Sequence, residues 1–235
     1  MSTTTTEASG TVLVVDDDPL IVNSIALALE HEGLAVLQAT DGQSALQQAA
    51  DKHPDLVILD VGLPDLSGVE VCRRLRSSSD AQVLFLTARQ DEVDKVVALD
   101  AGGDDYVTKP VGLAELAARV RAHLRRRASY AGRATTQFIV GDIRVDAHAR
   151  TVAIGGRPVQ LTPREFALLL ALVERQGEVV ERRQLLDQVW GTDWFGDQNV
   201  LDVYVRQLRI KMEPDPDRPA YLKTVRGVGY SISAP

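Results

Sequence analysis

Leu56-Val57-Ile58-Leu59-Asp60 is four apolar residues that end abruptly in a carboxylate. A run of this kind, without polar alternation, suits a strand of a parallel sheet, whose two faces are both covered by helices. Asp60 then falls at the carboxyl end of its strand, the edge where open α/β sheets place their chemistry. Val12-Leu13-Val14-Val15 ends the same way, in Asp16-Asp17-Asp18. Either strand end alone is adequately explained by a helix cap or a turn. Together they bring three or four carboxylates to one edge of one sheet. Like charges that close repel unless a cation neutralises them, so a hard divalent ion with oxygen ligands is expected, Mg²⁺ most naturally.

Around these two stretches, apolar runs and helical patterns alternate. Asp18-Pro19 suits a helix cap with proline in the first turn, and the helix runs to about His31. Leu34–Leu37 is the next strand, 42–52 a helix, and Gly62-Leu63-Pro64-Asp65-Leu66-Ser67-Gly68 a loop before a helix over Val69–Arg76. Val83–Thr87 is a fourth strand, 91–101 a helix, Tyr106-Val107 a fifth strand, and Leu113–Arg127 the last helix. Five (βα) units predict a doubly wound, five-stranded parallel sheet.

Two more strand ends now matter. Thr87 supplies a hydroxyl and Lys109 an ammonium. Carboxylates, hydroxyl and amine at four ends of one sheet form a constellation suited to phosphoryl transfer. Asp60 is the expected nucleophile, giving an acyl phosphate. Asp17, with Asp16 through water, is expected to hold Mg²⁺. Lys109 and Thr87 would contact phosphate oxygens.

At these residues the chain resembles the receiver domain of two-component response regulators, over about residues 11–127. The likeness is carried by Val-Val-Asp16-Asp17-Asp18, Leu-Asp60, Leu-Pro64-Asp65, Gly68, Leu-Thr87-Ala88-Arg89 and Gly-Gly-Asp-Asp105-Tyr106-Val-Thr-Lys109-Pro110. The resemblance implies a flavodoxin-like fold and a sensor histidine kinase as phosphodonor. It also implies the Gly62 carbonyl as a third protein ligand of Mg²⁺, Tyr106 as an aromatic switch coupled to Thr87, and a cis Lys109-Pro110 bond. Val111 departs from the phenylalanine usual in this branch, a change of packing rather than chemistry.

The chain has 235 residues, room for two domains. Its 45% hydrophobic and 25% charged residues are those of a soluble globular protein. No apolar run approaches the roughly 18 residues of a membrane span, and residues 1–10 lack the basic start and apolar stretch of a secretory signal. They are expected to form a disordered tail. The single cysteine, Cys72, cannot form an internal disulfide, and a cytoplasmic location is expected. Charge divides unevenly: residues 1–129 hold 12 Lys/Arg against 20 Asp/Glu, and residues 130–235 hold 14 against 13. That asymmetry predicts two modules with different partners.

Residues 128–137 are small and polar, and read as a flexible linker. From 138 to 160, short antiparallel strands are expected. Thr162-Pro163-Arg164-Glu165 is a capping box that opens a helix ending near Gly177. A helix over Arg182–Val189 follows, then an aromatic-rich loop. The helix of Gln198–Met212 sets Leu201, Val205, Leu208 and Met212 on one face and Asn199, Asp202, Val203, Arg206 and Arg209 on the other. Two strands close the chain, Tyr221–Val225 and Gly229–Ser233, with Arg226-Gly227 in the turn. This order describes a separate α+β winged helix-turn-helix domain over 138–235, with double-stranded DNA as partner.

The motifs Leu-Thr162-Pro-Arg-Glu165, Val-Trp190-Gly, Asn199-Val-Leu-Asp202-Val-Tyr-Val-Arg206-Gln-Leu-Arg209 and Thr224-Val-Arg226-Gly-Val-Gly-Tyr230 are similar to the output domain of the OmpR/PhoB subfamily. By that likeness Arg206 and Arg209 reach the major groove, Thr224 and Tyr230 touch phosphates, and Arg226 is the wing arginine. Gln207 stands where some members carry arginine. The loop 191–197 would contact RNA polymerase. The same likeness implies a phosphorylation-dependent homodimer pairing Lys95 with Glu115, Asp105 with Arg119 and Asp104 with Arg126, and DNA with tandem half-sites. An aspartyl phosphatase is the competing enzyme reading. Such enzymes need a second aspartate two residues after the nucleophile, and that position is Gly62. The expected product is therefore a transcriptional regulator and not an enzyme.

Overall fold

The computed structural model describes residues 10–88, 91–130, 137–191 and 199–235, and of their side chains all but those of 92, 93, 95 and 125–130. Residues 1–9 of the expected tail, residues 131–136 of the expected linker, Arg89 and the loop beyond Gly191 lie outside the described residues. The chain divides into two compact units between Leu124 and Arg125.

In the first unit, five strands and five helices alternate: β1 (Thr11–Val15), α1 (Pro19–His31), β2 (Ala35–Ala39), α2 (Gly42–Lys52), β3 (Leu56–Leu59), α3 (Gly68–Arg76), β4 (Gln82–Thr87), α4 (Glu92–Asp100), β5 (Asp105–Thr108) and α5 (Leu113–Tyr130). All strand pairs are parallel, in the order β2-β1-β3-β4-β5. Successive side chains of a strand point to opposite faces, and the two faces are visible as two cores. Val12, Val14, Leu56, Ile58, Leu84 and Leu86 pack against α1 and α5 through Val22, Ile25, Leu29, Leu116 and Val120. Leu13, Val15, Val57, Leu59, Val83 and Phe85 pack against α2, α3 and α4 through Ala45, Ala49, Val71, Cys72, Leu75 and Ala98. Burial raises the Cys72 thiol pKa to about 12, so it behaves as a small apolar side chain.

Local chemistry sets the helix starts. Asp18 accepts from the Leu20 amide at 2.9 Å, with Pro19 first in α1. Ser67 accepts from Glu70 N at 3.2 Å and caps α3. Strand order reverses direction between β1 and β3, which opens a crevice at their carboxyl ends.

The second unit begins with a four-stranded antiparallel sheet, β6 (Gln137–Val140), β7 (Ile143–Asp146), β8 (Thr151–Ile154) and β9 (Arg157–Val159). Three helices follow, α6 (Pro163–Val173), α7 (Arg182–Val189) and α8 (Val200–Met212), and then the hairpin β11 (Leu222–Val225) and β12 (Gly229–Ile232). The capping box at Thr162 is complete: Glu165 N donates to Thr162 Oγ1 and Thr162 N donates to Glu165 Oε2. A two-residue strand, β10 (Val180–Glu181), was not expected from sequence; it pairs antiparallel with β12, Val180 opposite Tyr230. Only glycine fits at 229, where a Cβ would stand 2.0 Å from the Val180 carbonyl oxygen. Trp190 and Tyr204 meet edge to face at 5.3 Å in the core, joining α7 to α8. In α5, the helix continues to Tyr130, past the expected end at Arg127.

Glu213 fixes the start of the hairpin. Its buried carboxylate accepts from the amides of Ala220 at 2.8 Å, Tyr221 at 3.0 Å and Leu222 at 2.7 Å. Removing it leaves buried N–H groups unpartnered, so Glu213→Ala should destabilise this unit by roughly 3 kcal/mol. Urea titration of the full chain should show an earlier transition for the second unit and an unmoved one for the first; coincident wild-type and variant curves would refute the role.

Candidate functional site

The β1–β3 crevice brings together residues far apart in sequence. The register Val15 opposite Leu59 sets the following residues, Asp16 and Asp60, side by side. Both are buried, and both reach one cation. Lys109 Nζ lies 2.5 Å from Asp16 Oδ2 and 3.1 Å from Asp60 Oδ1. Burial lowers the Lys109 pKa, but the hydrogen bonds and charges of Asp16 and Asp60 outweigh it and hold the ammonium above the ordinary lysine value. Lys109 itself is placed by the β4–β5 edge, where its amide donates to the Thr87 carbonyl at 2.8 Å, and the Lys109-Pro110 bond is cis. Thr87 is buried at the end of β4. Tyr106 on β5 is half-buried, its ring 6.4 Å from that of Phe85.

The second Asp60 oxygen is equally constrained, since the Gly62 amide donates to Oδ2 at 2.6 Å. Gly68 closes the loop: its amide donates to Val61 O at 2.9 Å, and a Cβ there would stand 2.0 Å from the Asp60 carbonyl oxygen. Asp17 and Asp18 are exposed beside the crevice. Among the described residues no three His, Cys, Asp or Glu side chains converge to hold a metal by themselves. A cation at Asp16 and Asp60 would need main-chain and water oxygens as well, which fits Mg²⁺, an ion that keeps several waters and uses one or two carboxylates.

In the second unit the expected DNA-contacting residues divide. Asn199, Arg206, Thr224 and Arg226 are exposed, and Val203 is half-buried. Arg209 is half-buried and ties α8 to the hairpin: Nη2 donates to Leu222 O and to Thr224 Oγ1, both at 2.8 Å. Tyr230, expected to touch phosphate, is engaged inside the unit. The residue is only 3% exposed, and its hydroxyl donates to Asp202 while accepting from Arg182 Nη1 at 3.0 Å. Arg182 Nη1 and Nη2 also grip both Asp202 oxygens at 2.8 Å, and the guanidinium lies over the Tyr230 ring. The Arg182 hydrogen bond holds the Asp202 carboxyl below its usual range, and burial with Asp202 pushes the Tyr230 phenol up to about 12. Sequence reading placed Arg182 only as a helix start. Its signal is a bidentate arginine opposite a carboxylate on the next helix, and spacing alone does not reveal that.

Residues of the expected dimer face also hold contacts inside the unit. Asp104 has 0% exposure; it pairs with Arg76 Nη2 at 2.7 Å and accepts from the Val83 amide at 2.8 Å. It joins α3 to the start of β4 inside the unit. Asp105 is also buried, and its Oδ2 lies 3.4 Å from both Arg119 Nη1 and His123 Nε2 of the same chain. Burial raises its pKa, but the His123 hydrogen bond and charge, with Arg119 and the Tyr106 amide, hold it below the usual value. Arg119 Nη2 meets Glu115 at 2.9 Å. The side chains of Lys95 and Arg126 lie outside the described residues.

Residues 12–121 match the family described as response regulator receiver domain, and residues 156–232 the family described as transcriptional regulatory protein, C terminal. Sensory transduction protein RegX3 of Mycolicibacterium smegmatis is 44% identical over 223 residues, covering 94% of this chain and 98% of that protein. RegX3 of Mycobacterium tuberculosis is 42% identical over 222 residues, with the same coverage. Among solved structures, the response regulator DrrB of Thermotoga maritima, an OmpR/PhoB homolog, is 34% identical with a TM-score of 0.51, covering 96% of this chain and 99% of that one. A cysteine-to-serine mutant of RitR is 28% identical with a TM-score of 0.82, covering 96% and 100%. With a receiver sheet, a winged helix and likeness along nearly the whole of both chains, this protein belongs to the OmpR/PhoB-type two-component response regulators, phosphorylation-responsive DNA-binding transcriptional regulators and not enzymes.

Proposed function

We propose that Asp60 is the phosphoacceptor, that the reaction depends on Mg²⁺, and that phosphorylation drives dimerisation on tandem DNA half-sites. The observation that carries this reading is the Lys109 ammonium shared by Asp16 and Asp60 at the sheet crevice. An Asp60 carboxylate oxygen attacks the phosphorus of a kinase phosphohistidine; the P–O bond forms as the P–N bond breaks, and the imidazole leaves with the electron pair. Asp60 arrives at this step already oriented, with one oxygen toward Lys109 and the other on the Gly62 amide. Lys109 then exchanges part of its carboxylate contact for a phosphoryl oxygen, and the Thr87 hydroxyl donates to another. Receiver domains generally bind Mg²⁺ at the phosphorylation site; in this chain Asp16, Asp17, Asp60 and the Gly62 carbonyl would hold it, and it would screen the incoming negative charge.

Movement of Thr87 toward the phosphoryl group lets Tyr106 turn inward, a population shift of the α4-β5-α5 face. That face offers exposed Val96, Val97 and Leu113; Lys95, Glu115 and Arg119 would be its charged partners. Asp105 would reach Arg119 of a second chain, and Asp104 Arg126, each by exchanging its present internal contact. In the second unit, Asn199, Val203 and Arg206 would face bases, with Arg209 and Thr224 at the backbone and Arg226 in the minor groove. RNA polymerase would be met by the loop after Gly191. None of the described helices is long and apolar enough to cross a membrane; a cytoplasmic location is part of this proposal.

Three outcomes are expected. Acetyl phosphate with Mg²⁺ labels the wild type but not Asp60→Asn; equal labelling of both would sink the assignment. Arg206→Ala weakens binding to a cognate duplex by roughly 1–3 kcal/mol and relaxes specificity, whereas Arg226→Ala acts more evenly across sequences; unchanged affinity for both in fluorescence anisotropy would rule out this docking. Beryllofluoride raises the dimer fraction of the wild type in sedimentation velocity, and Arg119→Glu abolishes the rise; a variant that still dimerises would show that another face is used.

A further inference from the structure

The loop that follows Asp60 is held by a contact outside the Asp16–Asp60–Lys109 cluster. Asp65 reaches across to α2, where Oδ1 accepts from the Gly42 amide at 2.7 Å and Oδ2 from the Gln43 amide at 2.9 Å. Helix α2 already has its own cap, Asp41, which accepts from the Ser44 amide at 2.8 Å. Asp65 adds a second carboxylate from a different part of the chain, placed at the positive end of the helix dipole. The Gly42 amide bond, with that of Gln43, holds the Asp65 carboxyl below its usual range although the side chain is exposed.

The contact is close as well as polar. A Cβ at Gly42 would stand 2.8 Å from Val71 Cγ2 and 2.9 Å from Leu66 Cβ, so the helix start is seated directly on the loop. Both ends of the loop are at Asp60: the Gly62 amide donates to its carboxylate, and Gly68 lies against its carbonyl. The start of α2 follows β2, whose last residue, Ala39, accepts from the Asp16 amide at 3.2 Å. A closed circuit therefore runs from Asp16 through β2, α2 and Asp65 to the Asp60 loop.

We propose that Asp65 is a positioning residue for phosphoryl transfer: by anchoring its loop to the start of α2 it holds the Gly62 amide on Asp60 and so fixes the orientation of the attacking carboxylate. This rests on Asp60 being the phosphoacceptor. Misplacing a reacting group by about 1 Å can cost on the order of a hundredfold in rate, and loss of one anchor should cost part of that.

The test uses the full chain with acetyl phosphate at saturating Mg²⁺, where Asp60 gains the phosphoryl group and acetate leaves with the electron pair. Asp65→Ala should lower the maximal labelling rate about tenfold, with the half-saturating acetyl phosphate concentration unchanged, because Asp65 does not touch the donor. Asp65→Asn keeps one acceptor oxygen and should fall between; it carries the test if the alanine variant does not fold. Amide hydrogen exchange supplies a second readout, in which Gly42, Gln43 and Gly62 all exchange faster in Asp65→Ala while the amides of β1 and β3 keep their protection. If Gly42 and Gln43 speed up but Gly62 and the maximal rate do not change, Asp65 is only a helix cap and the proposal is overturned. If the wild type takes up no label, the Asp60 assignment falls, and the proposal falls with it whatever the exchange shows.

Discussion

Asp16 and Asp60 are two buried carboxylates side by side, and one ammonium lies between them. Without Lys109 they would repel in a medium that screens charge far less than water does. The architecture is what makes the arrangement affordable. Strands β1 and β3 are paired along their length and covered on both faces, so their ends cannot separate to relieve the repulsion. Lys109 arrives from β5, two strands away from β3, on a backbone turn pinned to Thr87. The site is a charge balance imposed by a sheet too well packed to yield. A phosphoryl group entering it adds negative charge at the point where the balance is already drawn tightest.

The parts of this arrangement that can be read in the sequence are those governed by period and position. Val12–Val15 and Leu56–Leu59 are continuous apolar runs because both faces of a parallel strand are buried, and that same burial makes a terminal aspartate conspicuous. Lys109 is visible for a similar reason, as the charge that follows the last short strand. The helix starts at Asp18 and Thr162 are local chemistry, and local chemistry survives folding. What escapes is pairing between elements that spacing does not relate. Asp104 looks like a surface acid beside Asp105, yet it lies against Arg76 from α3. Asp65 looks like a turn residue after proline, yet its partners are the first amides of α2. Two-residue β10 is too short to carry any period, and it exists because β12 offers it a ladder.

The second unit shows the same division. Its helices follow their apolar faces, and Leu201, Val205, Leu208 and Met212 are all buried where the helical period puts them. The polar face of α8 is less simple than a row of free side chains. Asp202 is committed to Arg182 and Tyr230, and Arg209 to Leu222 and Thr224. Part of the polar face therefore serves to hold the helix to its neighbours, while Asn199 and Arg206 are exposed.

Those commitments change what recognition by this unit would mean. Arg209 binds α8 to β11, the Arg182–Asp202–Tyr230 cluster binds it to α7 and β12, and β10 stitches β12 to the residues that open α7. Helix and hairpin are clamped at both ends, so a duplex meeting both meets a gauge of fixed width. Such a gauge cannot stretch to suit a poorly spaced groove, and the duplex has to twist or bend to fit it. The energy of that deformation depends on base steps that no side chain touches. Sequence preference in such a protein would extend into the unread base pairs between helix and wing, written there by the stiffness of the DNA.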